Sequence, residues 1–483
     1  MHSTLKPSLY LMSGRLIGTM MAFAIPVVLV RLFDQAAFGT YKQLFLVCAT
    51  LYAIAQCGMA ESLFYFLPSD PGRAGRYAMN ALLILFAAGG ACLVLLWAGR
   101  FQVAAWLGND ALAAGLPWIG AHLAFMLASA ALEIVLTARK RYLGAAWTYA
   151  ASDAARTILC LVPALLLRSL EGVLIGAAAF AALRFGAALL ALRREFGVNL
   201  KFDLSLLGTQ LAYALPFELA VVVEILQANL HQYAVSLRFD AAAFAIYSVG
   251  CLQVPLVDLV AGSTCNVMMV RMAEEVRDGR TESALLEWHG AVRRLALVFF
   301  PLVAVLLLNA RDLIVLLFTR SYLASVPIFM LWAGAFLLAA LPVDGVLRVF
   351  ADTRFLFVLG ALKLVFIAAT VSWFLGRFHL EGGVLVTLAA TLCGKTLALG
   401  RIARRLRTGV AALLPWRGLA AIVGSTLAAG VPALLVREAA VLGPLASILT
   451  SGLVFAAAYA ALACGFRLVD ASDPLVPLPE APK

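Results

Sequence analysis

Phe33-Asp34-Gln35-Ala36-Ala37-Phe38-Gly39-Thr40-Tyr41 follows the first long apolar run of the chain. Phe239-Asp240-Ala241-Ala242-Ala243-Phe244-Ala245-Ile246-Tyr247 follows the seventh. One such match in an Ala-rich chain is open to chance, but two more fall in line with it. Leu170-Glu171-Gly172 returns as Leu380-Glu381-Gly382, and Pro117 returns as Pro327. The separations are 206 from Asp34 to Asp240, and 210 both from Glu171 to Glu381 and from Pro117 to Pro327. Three collinear matches at nearly one spacing argue for an internal duplication. Each copy carries six apolar runs, an even number, so the copies share an orientation: a parallel repeat about an axis along the membrane normal. Repeats of this kind build transporters that rock two bundles around a site at their interface.

The rest of the composition agrees. Of 483 residues, 64% are hydrophobic and 13% charged, against about 45–50% and 25% in soluble domains. That balance excludes a soluble enzyme, a disordered chain and a nucleic-acid binder. The net charge of +11 then belongs to loops facing anionic lipid rather than to a nucleic-acid surface. A spanning helix needs about 20 apolar residues, which predicts about fourteen spans: 8–30, 40–67, 77–99, 114–137, 145–167, 172–192, 207–236, 243–270, 294–310, 326–347, 356–375, 382–400, 417–436 and 443–465. The predicted fold is an all-α integral membrane protein. It has a six-helix lobe over 1–200, a second over 201–408, and two extra helices with a short tail over 409–483. The longest connection, Arg271–Arg294, is expected to form an interfacial helix.

Orientation is read from Lys and Arg. With the N-terminus inside, 23 of them fall on the cytoplasmic side and 9 outside, with five left within spans. Both termini are therefore expected in the cytoplasm. The eight cysteines lie in apolar stretches without CxxC or metal spacing, so reduced structural thiols and no metal site are expected. Met1–Leu11 lacks a small-residue cleavage site, and the first apolar run reads as a retained helix.

The Asp34-x-x-x-Phe38-Gly39-x-Tyr41 loop resembles the acidic-x-x-x-aromatic-Gly-x-aromatic signature of the polysaccharide-exporter branch of the multidrug/oligosaccharidyl-lipid/polysaccharide (MOP) exporters. Gly58 stands where that branch has a Gly near the end of span 2. Asp312-Leu313-Ile314, with Leu317-Phe318 and Tyr322, is similar to its outer loop after span 9. Phe33 replaces the usual Gly before the acidic turn, and Tyr65 stands where a basic residue often ends span 2. The resemblance implies a MATE-like, fourteen-helix flippase for undecaprenyl-diphosphate-linked oligosaccharides, of the O-antigen (Wzx) type. It implies a multi-pass place in the bacterial inner membrane, membrane lipids around it, and a polysaccharide polymerase and glycosyltransferases as partners.

Independently of that resemblance, ionisable residues within spans mark candidate sites. A central Lys, Arg or Asp costs about 2.5–3.5 kcal/mol to insert, so five cations facing lipid would cost roughly 12–17 kcal/mol. They are Arg15, Arg156, Arg184, Lys363 and Lys395. The extra residue in Leu380-Glu381-Gly382-Gly383 makes the local spacing 211, which pairs Arg184 with Lys395. A cation on each side of a pseudo-two-fold axis suits a central anion, which the resemblance implies is a diphosphate. The alternative is that each neutralises a local acid or snorkels; for Arg156, with Asp153 three residues before it, that alternative is the better reading. Glu133 and Asp344 are also near-equivalent and are expected at the interface beside loop Arg. Glu224 shares a polar stripe with Gln210, Tyr213, Gln227 and His231. With Asp258, Glu218 and Glu61 it is a candidate for proton or sodium coupling, and a structural hydrogen-bonded network stands as the equal alternative. His122 and His231 read as core residues. Prolines within spans, such as Pro163, Pro216 and Pro301, suit bending helices but are common in membrane helices.

No phosphate-cradling loop, His-Glu-x-x-His or nucleophile elbow is present, and no cofactor is expected. The expected function is transport, not catalysis. Two rival readings fit less well: a cation-coupled drug exporter, which favours acids and twelve spans, and a membrane glycosyl polymerase or ligase, which needs a larger outer loop.

Overall fold

The computed structural model describes the backbone of residues 5–439, 443–466 and 468, with side chains from residue 20 onward except at 410. All regular elements among them are helical. Twelve helical stretches are long and apolar enough to cross a membrane. One of these runs over Thr353–Arg405 and breaks at His379, whose φ of 49° is left-handed, so it holds two spans. With the helix Leu5–Leu32, the number reaches about the expected fourteen. Large apolar side chains point outward: Leu95, Leu166, Val270, Leu427 and Leu453 are each more than 60% exposed. In water such a surface would aggregate; in a bilayer it is the solvated face. The chain is a multi-pass membrane protein.

The backbone forms two compact units, 1–248 with 367–383, and 249–366 with 384–483. The first holds α1 (Leu5–Leu32), α2 (Gln35–Ala55), α3 (Met59–Ser69), α4 (Ala74–Ala98), α5 (Arg100–Trp106), α6 (Leu112–Ala128), α7 (Ala131–Ala138), α8 (Tyr142–Leu167), α9 (Leu170–Phe196), α10 (Leu204–Arg238) and most of α11 (Ala241–Gly250). Its core gathers Met59, Leu63, Leu85, Leu127 and Ala131 around α3, α4, α6 and α7. The second holds α12 (Pro255–Arg277), α13 (Thr281–Leu308), α14 (Ala310–Phe318), α15 (Val326–Leu338), α16 (Val343–Val349), both ends of α17 (Thr353–Arg405), α18 (Trp416–Ala439) and α19 (Pro444–Gly465). Trp288, fully buried, donates from Nε1 to the Leu413 carbonyl at 2.8 Å and fixes the segment before α18. Asp312 receives Arg437 at 3.2 Å and the Ser447 hydroxyl at 3.1 Å, which ties the last two helices to α14.

The duplication is written into the backbone. Left-handed residues recur in pairs: Gly108 and Thr319, Lys140 and Ala351, Arg168 and His379, and Gly197 and Arg407. Each pair is 210 or 211 residues apart. The repeated sequence motifs have local physical causes. Asp34 Oδ1 accepts from the Ala37 N–H at 2.8 Å and Asp240 Oδ1 from Ala243 at 2.7 Å, so each acid caps the helix that follows it. Phe38 and Phe244 are both fully buried. A Cβ on Gly39 would overlap the Ala241 carbonyl, so the two motif loops meet, and only glycine fits that contact. In the Leu-Glu-Gly motifs, a Cβ on Gly172 would stand 2.8 Å from the Pro163 carbonyl, and one on Gly382 would collide with that of Phe374. Each glycine lets a helix turn back tightly on its predecessor.

Several predicted spans are interrupted. Span 40–67 breaks at Cys57 and Gly58, both left-handed. Span 243–270 breaks between α11 and Pro255, whose missing N–H suits a helix start. Span 114–137 breaks at 129–130, and span 326–347 at 339–342 ahead of Pro342, again 210 residues apart. Apolar periodicity continues across such breaks, so hydropathy does not register them. Arg271–Arg294 is not a separate interfacial helix. It divides into the end of α12, a turn at Gly279 (φ 75°) and the start of α13, closed by Arg280 on Glu275 at 2.6 Å. The tail beyond 468 lies outside the described residues.

Candidate functional site

Each unit places one span cation in the break of its own interrupted helix. In the first unit, Arg184 reaches from α9 to the gap between α6 and α7. Its Nη2 donates to Glu133 Oε1 at 2.7 Å, its Nε to Ser129 Oγ at 3.0 Å, and its Nη1 to Ser152 Oγ. The pair is withdrawn, with side chains 13% and 4% exposed. Glu133 is therefore not an interfacial acid beside loop Arg, as its place near the span end implied. The helix break turns it inward. In the second unit, Lys395 donates from Nζ to the Leu341 carbonyl at 2.6 Å, inside the gap between α15 and α16. Asp344 and Lys363 lie within electrostatic range of it. Lys363 packs its stem against Gly394, where an added Cβ would come 2.8 Å from Lys363 Cδ. The two cations differ in one respect. Arg184 has an anionic partner, whereas Lys395 bonds a neutral carbonyl freed by the break.

Arg156 lies on α8 and pairs with Asp153 at 2.7 Å, as their spacing of three predicts. It borders a cavity of about 360 Å³ inside the first unit. Tyr41, Phe45 and Tyr52 of α2 line that cavity together with His122. His122 lies against the Ala177 carbonyl, with Nδ1 at 2.9 Å. Arg15 falls on α1, where its side chain lies outside the described residues.

The acids separate. Glu218 is buried beside the α2–α3 break, and its Oε1 has no hydrogen-bond partner among the described residues. Glu61, Glu224 and Asp258 are exposed. The stripe on α10 is packed at its ends and open in the middle. Gln210 donates to Ser62 Oγ at 2.8 Å, and His231 Nδ1 lies 2.5 Å from the Tyr247 hydroxyl. Glu224 stands in the open stretch between them. Among the described residues no group of three His, Cys, Asp or Glu could hold a metal ion.

Outside the spans, two acids organise the loops. Asp203 accepts from Ser205 and from Arg76, the latter at 2.8 Å, and those bonds hold its carboxyl down at about 2. Asp352 receives Arg405 at 2.5 Å and Arg401 at 3.1 Å, and the two guanidinium groups likewise hold it down at about 2.

A family model described as polysaccharide biosynthesis protein matches residues 28–327. The chain belongs to that family. The match covers the motif loop, Arg156 and Arg184, and the whole of α10 through α14, and leaves Arg15, Lys363 and Lys395 outside it. No curated relative matches the chain. The fold is that of the MOP superfamily. The lipid II flippase MurJ in an inward closed conformation superposes with a TM-score of 0.72 at 14% identity, covering 93% of this chain and 99% of that one. A multidrug resistance MATE family transporter in an inward-facing conformation gives 0.59 at 14% identity, over 81% and 95%. A MOP superfamily transporter from Pyrococcus furiosus gives 0.57 at 13% identity, over 84% and 97%.

In this family member, the partners of Arg184 are not legible from the sequence. Ser129 comes from the α6–α7 break, Glu133 from α7 and Ser152 from α8, so no spacing joins them to Arg184. The cavity's aromatic side left a signal: Tyr41, Phe45 and Tyr52 recur at helical spacing along α2.

Proposed function

We propose that this protein translocates undecaprenyl-diphosphate-linked oligosaccharide across the bacterial inner membrane by alternating access. It acts as a flippase and not an enzyme. The observation that carries the reading is the matched pair of span cations, Arg184 and Lys395, each lodged in the equivalent helix break of its unit. A diphosphate carries charge that a low-dielectric interior penalises heavily, and a fixed cation offsets part of that cost. Lys395, held by a neutral carbonyl, is ready for an anion. Arg184 is reached by competition, the diphosphate displacing the single carboxylate of Glu133 from a guanidinium suited to bidentate contact. Arg15 and Lys363 add positive potential. Arg156 adds least, since Asp153 compensates it. The family match favours a polysaccharide precursor over a drug as cargo.

In this reading the moving bodies are the lobes 1–200 and 201–408, both termini are cytoplasmic, and glycosyltransferases and a polymerase act before and after the flip. Glu224, in the open stretch of α10, couples a proton or sodium gradient, with Asp258, Glu218 and Glu61 as supporting acids. The test is the level of lipid-linked oligosaccharide on the cytoplasmic leaflet at matched protein levels. Arg184→Ala and Lys395→Ala should each accumulate it partially and the double variant severely. Normal export by a folded double variant overturns the cationic mechanism.

A further inference from the structure

Apart from Arg156, whose small part was given above, the cavity inside the first unit is not used by that reading. Its polar groups are poorly served by the protein. Among the described residues Arg156 Nε is buried without a partner, although the same guanidinium pairs with Asp153 through Nη2. Tyr41 and Tyr52 line the same space and bring their hydroxyls to it. His122, holding the Ala177 carbonyl through Nδ1–H, turns Nε2 free to accept. Buried polar groups are nearly always satisfied, so the unpaired Nε beside this polar lining marks what the space receives.

The walls say what kind of molecule fits. Tyr41 and Phe45 stand with ring centroids 4.7 Å apart and offer aromatic faces, with Tyr52 further along α2. Because Asp153 cancels the charge of Arg156, the cavity has no net cation for a diphosphate. Aromatic faces, hydroxyl donors and acceptors and a compensated ion pair together match a neutral ring with C–H faces and hydroxyl edges. About 360 Å³ lies at the small end of ligand pockets, room for one or two such rings.

We infer that this cavity is a sugar subsite, taking a neutral hexose or N-acetylhexosamine unit of the transported glycan against Tyr41, Phe45 and Tyr52. The inference rests on the flippase reading and deepens it: the cations of the helix breaks hold the diphosphate, and the first unit reads the glycan. Tyr41 thereby has a second use beyond its place in the capped motif loop.

Two probes separate the roles: lipid-linked glycan extracted from the host's own membranes, and bare undecaprenyl diphosphate. Binding of each is measured on the full chain in nanodiscs. Tyr41→Phe combined with Tyr52→Phe keeps the shape and removes two hydroxyls. It should weaken the glycolipid about tenfold or more and leave the bare lipid unchanged. Ala49→Phe, which fills the cavity from α2, should show the same selective loss, with melting temperature checking that it folds. Equal loss for both probes, or no loss for either, overturns the sugar subsite while leaving the flippase standing. Wild-type protein that binds neither probe overturns the flippase reading and this one with it.

Discussion

Glu133→Gln separates what the Arg184 pair does for folding from what it does for an anion. Both side chains are nearly withdrawn from the surface, at 13% and 4% exposure, so the neutral variant leaves a guanidinium without its countercharge. Removing one partner of a buried pair costs about 3–5 kcal/mol. Ser129 and Ser152 still accept from the guanidinium, which puts Glu133→Gln near the lower end, about 3 kcal/mol. Arg184→Ala strands a buried carboxylate with neither serine donating to it, which puts that variant near the upper end. The double variant should recover part of both losses, giving a coupling energy of about 2 kcal/mol or more in a double-mutant cycle. Affinity for a diphosphate should move the opposite way. Without the competing carboxylate, Arg184 is open to the anion, so Glu133→Gln should bind undecaprenyl diphosphate several-fold to about thirtyfold tighter, the gain from removing one nearby charge at effective dielectric ~20 after losses. Arg184→Ala should bind it more weakly. Reversible unfolding in micelles supplies the stabilities and titration in nanodiscs the affinities. A coupling below about 0.5 kcal/mol, or weaker diphosphate binding by Glu133→Gln, refutes the reasoning.

Gly39→Leu should destabilise by about 3 kcal/mol or fail to express, because its side chain meets the Ala241 carbonyl; Gly90→Leu, with nothing within 4 Å of its Cβ, is the matched control in the same unfolding assay. Asp352→Asn should lower stability at neutral pH. The Asp352 carboxyl is depressed from 3.8 to about 2 in the fold, so its contribution is present above about pH 4 and disappears between about pH 4 and pH 2. Wild type and variant should therefore converge as melting is followed down through that window, and a constant gap would assign the loss to something other than charge. Glu224→Gln should remove the gradient dependence of export while passive exchange of substrate in liposomes continues; unchanged gradient dependence would make Glu224 a structural residue. Cysteines placed at Gln35 and Ala242 should both react with a periplasmic reagent, since the two motif loops touch, and labelling of only one would contradict the shared outer face.

By itself the sequence determined what depends on composition and on neighbours along the chain. About twenty apolar residues in a row need a bilayer and a helix, because lipid offers no partners for a bare backbone. The repeats of Asp34 in Asp240 and of Gly172 in Gly382 were legible because caps and tight returns are made by residues within a few positions of one another. Arg156 with Asp153 was legible for the same reason: three residues on a helix is one face. The tertiary structure alone decided what depends on helix breaks and on meetings between helices. A break at 129–130 costs no hydropathy, yet it turns Glu133 from the span's end into its interior and gives Arg184 an acid from a neighbouring helix. Lys395, its counterpart by spacing, donates instead to the Leu341 oxygen freed by the break before Pro342, with Asp344 in electrostatic range but not bonded to it. The cavity behind Tyr41 needed Arg156 and His122 brought from two other helices. Long-range packing sets such distances, and nothing in the order of the residues carries them.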